Sequence, residues 1–127
     1  MMLDLRNDAR IVDVADHYGF EAQSRQLIEE MAELTAAINR VWRKVLECGE
    51  VEFTADDGFR KYAMRTQEMK NMISEIADVE VCLAQMRYMV DLDALIDAEE
   101  NMKLSRQIGK ILLEKEKRKN REVRDGI

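Results

Sequence analysis

The chain has 127 residues, enough for one domain with one core, and it contains no proline and only five glycines. Charged residues make up 36% of the chain, and residues that favour helices recur throughout, so we expect one all-α domain over residues 1–127. The net charge of −6 argues against nucleic-acid binding as the main role, and no apolar run approaches the roughly 20 residues of a membrane span.

The N-terminal part predicts a short helix followed by a long one. Asp8 is a candidate N-cap for a helix through about His17, and Tyr18-Gly19 interrupts it. The first long helix is predicted over about residues 20–48. Its apolar residues repeat with 4-3-4-3-4 spacing, as in a coiled-coil seam: Leu27, Met31, Leu34, Ile38, Val41 and Val45.

The rest of the chain predicts two more long helices. A short extended piece is expected within residues 50–58, and the second long helix then runs from near Asp57 to about Val90. Asp91 or Asp93 caps a third helix through roughly Lys117, and the basic tail from about residue 114 is expected to be a solvated, frayed helix end. Short connections favour an antiparallel four-helix bundle, and the few aromatic residues favour completion of its core by oligomerisation. The second seam comprises Met72, Ile76, Val79, Leu83, Met86 and Val90.

Two acid pairs recur at a shift of 45 residues, Glu30 and Glu33 in the first long helix and Glu75 and Asp78 in the second. Each pair lies about 60° and 120° from its seam, on the same flank. Antiparallel packing with facing seams would bring the four carboxylates together, and a hard cation such as magnesium would relieve their repulsion. Ordinary salt bridges are the alternative, but no basic residue lies within four positions of Glu33 or Asp78.

Other metals fit this pattern less well. A di-iron carboxylate bundle requires Glu-x-x-His motifs, whereas the one histidine, His17, lies far from both acid pairs. Zinc is disfavoured because histidine and cysteine ligands are scarce. The two cysteines lack CxxC spacing, which indicates reduced thiols, and the first ten residues contain no apolar run, so we expect a cytoplasmic protein without a signal peptide.

The acid pattern resembles that of a known family. Residues 29–33 read Glu-Glu-x-x-Glu and residues 75–78 read Glu-x-x-Asp, which is similar to the EExxE…ExxD signature of the MazG-like all-α nucleoside triphosphate pyrophosphohydrolases. The resemblance covers about residues 20–90. The spacer over residues 34–74 is longer than in the tightest members of the family, which bears on substrate choice more than on chemistry.

The resemblance implies a MazG-like fold and a magnesium-dependent cleavage, with manganese as a substitute, of a ribo- or deoxyribonucleoside triphosphate between its α- and β-phosphates. The products are a monophosphate and pyrophosphate. Glu30, Glu33, Glu75 and Asp78 are then the candidate metal ligands and catalytic acids, and one of them orients the attacking water. Glu29 lies about 200° from the seam, so we expect a supporting role for it.

Several other residues are candidates for substrate binding. The resemblance suggests that Lys103 and Arg106 of the third helix grip the phosphates, while an exposed face paired with Glu99 is the alternative. Three amides lie beside the acids and have hydrogen-bonding groups suited to a base edge: Gln23, Gln26 and Asn71.

Three functions stay open at this point. The first is the pyrophosphohydrolase, the second is a non-catalytic helical interaction or dimerisation module, and the third is a degenerate member that binds nucleotide without turnover. A homo-oligomer is expected, and the sequence does not distinguish a dimer from a tetramer. Trp42 lies on the opposite flank of the seam from the acids, where packing in a core or an interface is its expected role.

Overall fold

The computed structural model describes residues 3–46 and 66–126, and these residues are almost entirely helical. No β-strand occurs within these two ranges, in agreement with the expected all-α class. None of the helices described there is both long and apolar enough to cross a lipid bilayer. The long helices are α1 (Ala9–Val41), α2 (Gln67–Val90) and α3 (Asp93–Asp125).

The first helix begins and breaks where the sequence predicts. The Asp8 carboxylate caps α1 by accepting the backbone N–H of Arg10 at 3.0 Å, and it also accepts two hydrogen bonds from the Arg10 guanidinium. Gly19 interrupts α1 with φ 84° and ψ 173°, a conformation that is essentially restricted to glycine. The predicted short helix is therefore the first segment of α1, and the described residues contain three long helices, one of them interrupted.

The other helix ends differ in part from the prediction. A π-helical turn, Trp42–Leu46, follows α1, and α2 begins at Gln67, where the Thr66 hydroxyl accepts the N–H of Met69 at 3.3 Å. The predicted extended piece and the residues around Asp57 lie outside the described residues. The prediction of one continuous helix from Asp57 to Val90 is wrong, because Thr66 has extended backbone angles of φ −99° and ψ 139°. A 3₁₀ turn, Leu5–Asn7, precedes α1.

The predicted aspartate cap of the third helix is wrong. Leu92 occupies the N-cap position of α3 and makes no side-chain cap. Asp91 instead ends α2 in the left-handed conformation, at φ 51° and ψ 44°, which aspartate tolerates better than most residues. Its N–H donates to the carbonyl of Arg87 at 3.1 Å. The third helix also continues to Asp125, beyond its predicted end near residue 117.

The chain divides into two compact units, Met1–Asp91 and Leu92–Ile127. In the first unit α1 and α2 pair antiparallel, as expected. The Tyr88 hydroxyl donates to Asp16 at 2.8 Å near one end of the pair, and Leu27 packs with Val79 and Cys82 farther along. The second unit consists of α3, in which no residue is buried; its predicted core residues are all exposed: Leu95, Ala98, Met102, Ile108, Ile111 and Leu112.

The faces through which α1 and α2 meet are rotated from the predicted seams. Met31 is 43% exposed while Ala37 is 1% exposed, and Leu83 is 44% exposed while Cys82 is 6% exposed. Each contact face therefore lies about 50° from its seam, towards the acid flank. The small side chains of Ala37 and Cys82 let the helices approach closely, whereas longer side chains would hold them apart. This rotation moves the polar flank into the space between the helices.

Candidate metal centre

Three of the four predicted carboxylates come together between α1 and α2. Glu30 and Glu33 lie one turn apart on the same side of α1, and Glu75 lies across from them on α2. One carboxylate oxygen from each of the three lies within 4.8 Å of the others. Asp78, one turn beyond Glu75, is exposed and is not part of this group. The three residues, Glu30, Glu33 and Glu75, are called the acid cluster below.

Two oxygens of the acid cluster are buried without a hydrogen-bond partner. Glu30 and Glu75 are half-buried, and the Oε2 atom of each is inaccessible to solvent and accepts no hydrogen bond from residues 3–46 or 66–126. Glu30 Oε1 accepts a hydrogen bond from Gln26 Nε2 at 2.7 Å, so one side of this carboxylate is satisfied. Such oxygens are unusual because buried polar atoms are nearly always hydrogen-bonded.

Ordinary salt bridges do not neutralise this cluster within the described ranges. The ion pairs found there join Arg10 to Asp8 and Arg25 to Glu21, and neither includes an acid of the cluster. The alternative that these acids are ordinary flanking residues held in salt bridges therefore has no support among residues 3–46 and 66–126.

The electrostatics of the cluster disfavour ionised Glu30. The hydrogen bond from Gln26 lowers the pKa of Glu30, but loss of solvation and repulsion from Glu33 and Asp78 outweigh it, so the pKa is raised. Burial, followed by repulsion from Glu30 and Asp78, raises the pKa of the Cys82 thiol. Asp78 is therefore near enough to act on both groups electrostatically. Because the Cys82 thiol holds its proton, it is a poor metal ligand, and the donors that remain are carboxylate oxygens.

The three amides with predicted roles make different contacts. Gln23 is buried, and its Nε2 donates to Oε1 of Gln85, which is also buried. Gln26 holds Glu30, as described above. Asn71 is exposed, and its Oδ1 accepts a hydrogen bond from Gln67 Nε2 at 2.8 Å. A role in reading a base stays a prediction for all three.

Sequence reasoning missed Gln85. It continues the polar strip of α2, three residues after Cys82 and seven after Asp78, so helical spacing alone could have placed it there. Its amide pairs with Gln23 across the two helices and fixes their register next to the acid cluster.

The remaining candidates are not members of the acid cluster. Lys103 and Arg106 are exposed on α3, in the second unit, and their predicted contact with phosphates stays a prediction. The His17 ring packs edge-to-face against Tyr18 at a centroid distance of 4.7 Å, and it is not a member of the acid cluster.

Comparison with known proteins gives no relative. No protein-family model matches this chain, and neither a curated protein nor a solved structure is significantly similar to it. The resemblance to the MazG-like enzymes therefore rests on the acid pattern and on the helices that carry it.

Proposed function

We propose that the protein is a magnesium-dependent nucleoside triphosphate pyrophosphohydrolase with a MazG-like fold. It would hydrolyse a ribo- or deoxyribonucleoside triphosphate between the α- and β-phosphates to a monophosphate and pyrophosphate. The observation that carries this proposal is the pair of buried oxygens of Glu30 and Glu75 that have no hydrogen-bond partner among the described residues, in a group where Glu30, Glu33 and Glu75 each offer a carboxylate oxygen within 4.8 Å of the others. A divalent cation would supply the charge that these oxygens lack.

The donor set fits magnesium or manganese. Glu30, Glu33 and Glu75 offer hard oxygen ligands. Magnesium usually takes only a few ligands from a protein and keeps several bound waters, which phosphate oxygens can replace. When bound, the ion would neutralise phosphate charge and make a bound water more acidic. The exposed carboxylate of Asp78, at the rim of the cluster, is suited to orienting the attacking water and accepting its proton.

The rotation of the helices also supports the predicted homo-oligomer. It leaves Met31 and Ile38 on α1, and Ile76 and Leu83 on α2, with more than a third of their surface exposed. Helix geometry puts these residues on one side of the α1–α2 pair and Glu33 on the other. We infer that a second copy of the chain covers this apolar side. Sedimentation of Leu83→Lys against wild type tests this inference, since a lysine there should dissociate the assembly.

The proposal also places the protein in the cytoplasm. Nucleoside triphosphates are found there, and a buried thiol such as Cys82 stays reduced there.

The reaction is tested by incubating the purified chain with a panel of ribo- and deoxyribonucleoside triphosphates, with magnesium or with EDTA. Pyrophosphate and the matching monophosphate should form in magnesium only. Glu33→Gln and Asp78→Asn should each lower turnover at least about 100-fold, since even outer-shell partners of a metal cost roughly 10- to 100-fold. Glu80→Gln is the matched control, because Glu80 is exposed on α2 and is not part of the acid cluster.

Two results would contradict the proposal. Wild-type turnover in both acid variants would remove the site assignment. Absence of product across the panel, from folded protein, would favour a nucleotide-binding or helical interaction module.

A further inference from the structure

A basic cavity lies at the end of α1. Arg40, Arg43 and Lys44 line a space of about 480 Å³ together with Glu68 of α2. The described lining residues are three cations and one carboxylate, so these four side chains carry a net charge of +2. Within residues 3–46 and 66–126, none of the three cations forms an ion pair. A cavity with this charge favours an anion.

The cavity lies along the same side of the helix pair as the acid cluster. Arg40 follows Glu33 by seven residues, which is two turns, about 10 Å and about 20° of rotation. Between them along the chain lies Ala37, which is buried in the helix contact. On α2, Glu68 precedes Glu75 by seven residues on the same side.

Helix electrostatics explain only part of this arrangement. Cations in the last turn of a helix interact favourably with its dipole. This interaction is enough to explain why a basic residue such as Arg40 lies near the end of α1. The π-helical turn that follows α1 has Arg43 and Lys44 in its last turn, so the dipole favours all three cations, but it does not by itself place them around one cavity with Glu68. An anionic ligand would satisfy all three.

We propose that Arg40 and Lys44 form a subsite for the pyrophosphate group of the substrate, that is, the β- and γ-phosphates of the triphosphate. This inference rests on the proposed function. The acid cluster and the basic cavity would then bind different parts of one ligand. A cation at the acid cluster would hold the phosphates next to the bond that breaks, and the basic cavity would hold the outer ones. Arg40 is suited to bidentate contact with phosphate oxygens, and Lys44 adds a compact positive charge.

The arrangement affects the leaving group. When the bridging bond between the α- and β-phosphates breaks, negative charge develops on the β-phosphate oxygen, and a nearby guanidinium stabilises that charge. Loss of Arg40 should therefore lower kcat as well as raise KM.

Two measurements on the full chain test the subsite. The first is calorimetric titration with inorganic pyrophosphate in EDTA at low salt, and the second is steady-state turnover in magnesium. Arg40→Gln and Lys44→Gln should each weaken pyrophosphate binding about 10-fold or more, because each removes a charge-assisted hydrogen bond. The matched control is Arg25→Gln, which removes the same charge from an exposed part of α1 and should leave binding unchanged.

Rescue by the conservative variant separates a ligand contact from a structural role. Arg40→Lys keeps the charge and should recover part of the pyrophosphate affinity and of kcat. Circular dichroism checks that each variant stays helical, as expected for exposed side chains.

The outcomes distinguish this inference from the proposed function. Equal pyrophosphate affinity in Arg40→Gln, Lys44→Gln and Arg25→Gln would overturn the subsite, even if the wild type releases pyrophosphate from triphosphates. Loss of affinity in the first two variants alone would support the subsite. If that loss occurs in a protein that hydrolyses none of the triphosphates, the subsite stands and the proposed function falls.

Discussion

Replacing Glu30 with glutamine should stabilise the metal-free protein. Glu30 is half-buried, its Oε2 accepts no hydrogen bond from the described part of the chain, and one of its carboxylate oxygens lies within 4.8 Å of oxygens of Glu33 and Glu75. A glutamine keeps the shape of the side chain, and its carbonyl oxygen can still accept the hydrogen bond from Gln26. The change therefore removes a charge and little else.

Coulomb's law gives the size of the effect. Two unit charges 4.8 Å apart repel each other by about 3.5 kcal/mol at an effective dielectric constant of about 20. Glu33 is exposed and Glu30 only half-buried, so solvent screens much of this repulsion. We therefore expect Glu30→Gln to raise the free energy of unfolding by about 1–2 kcal/mol at neutral pH.

The assay is urea unfolding in EDTA at low salt, with Glu29→Gln as the control. Glu29 is exposed and is not part of the acid cluster, so its variant should stay within about 0.5 kcal/mol of wild type. Adding magnesium should stabilise wild type, by about 2.7 kcal/mol at 100 times Kd, and Glu30→Gln by less. A Glu30→Gln protein that is no more stable than wild type in EDTA would refute the reasoning.

The pH dependence provides a second check. The pKa of Glu30 is raised above the ordinary value of 4.5, so the folded state holds this proton more tightly than the unfolded state. Between 4.5 and the higher folded pKa, the stability contributed by this group falls as pH rises. The advantage of Glu30→Gln should therefore be absent below pH 4.5 and largest above the folded pKa. The opposite trend would show that the carboxylate is stabilised as an anion.

Three other substitutions, at Gln23, Gly19 and Ala37, test the buried contacts and the backbone strain. Gln23→Leu should cost about 1–3 kcal/mol because it leaves the buried Gln85 amide without its partner, and adding Gln85→Leu should recover most of this loss; a urea double-mutant cycle measures the coupling. Gly19→Ala should cost about 1–3 kcal/mol because of its φ of 84°, whereas Gly109→Ala in the middle of α3 should stabilise by up to about 1 kcal/mol; equal urea midpoints would contradict the strain argument. Ala37→Leu should cost about 1–3 kcal/mol by overpacking the helix contact, and an unchanged midpoint would mean that the helices separate easily.

Local signals in the sequence predict the helices well. The cap at Asp8 and the break at Gly19 each depend on the chemistry of one residue, which acts in the same way whatever the tertiary packing. The predicted cap of α3 was wrong because neither of the two candidate aspartates occupies the cap position. Asp91 ends α2 in the left-handed conformation, and Asp93 lies within the first turn of α3.

The rotation of the helices could not be predicted in the same way. The apolar stripe of α1 is wider than one helix contact, so periodicity locates its centre without showing which edge meets α2. The edge that does so contains Ala37 and the hydrogen-bonded amide of Gln23, while Met31 stays exposed. Close approach and a satisfied polar pair decide the contact here, and both depend on which residue lies opposite.

The same rotation changes the meaning of the acid pairs. The sequence predicts carboxylates on the flank of the helix contact, where solvent would screen them, but Glu30 and Glu75 lie partly within the contact and Glu33 stays at its edge. Burial makes the unpartnered oxygens unfavourable for folding, and a glutamine would fit the same space without this penalty. The proposed cation site would account for carboxylates at a position where packing alone would favour an amide.

The distance between the acid cluster and the basic cavity supports this interpretation. Arg40 lies about 10 Å from Glu33 along α1, which is close to the screening length at 0.1 M salt, so the two charges neutralise each other only weakly. If the cations served to offset the acids, a position such as 36, one turn from Glu33, would hold them more effectively, yet it is alanine. Opposite charges kept two turns apart would leave both clusters available to the proposed ligand, which carries phosphate and a metal ion together.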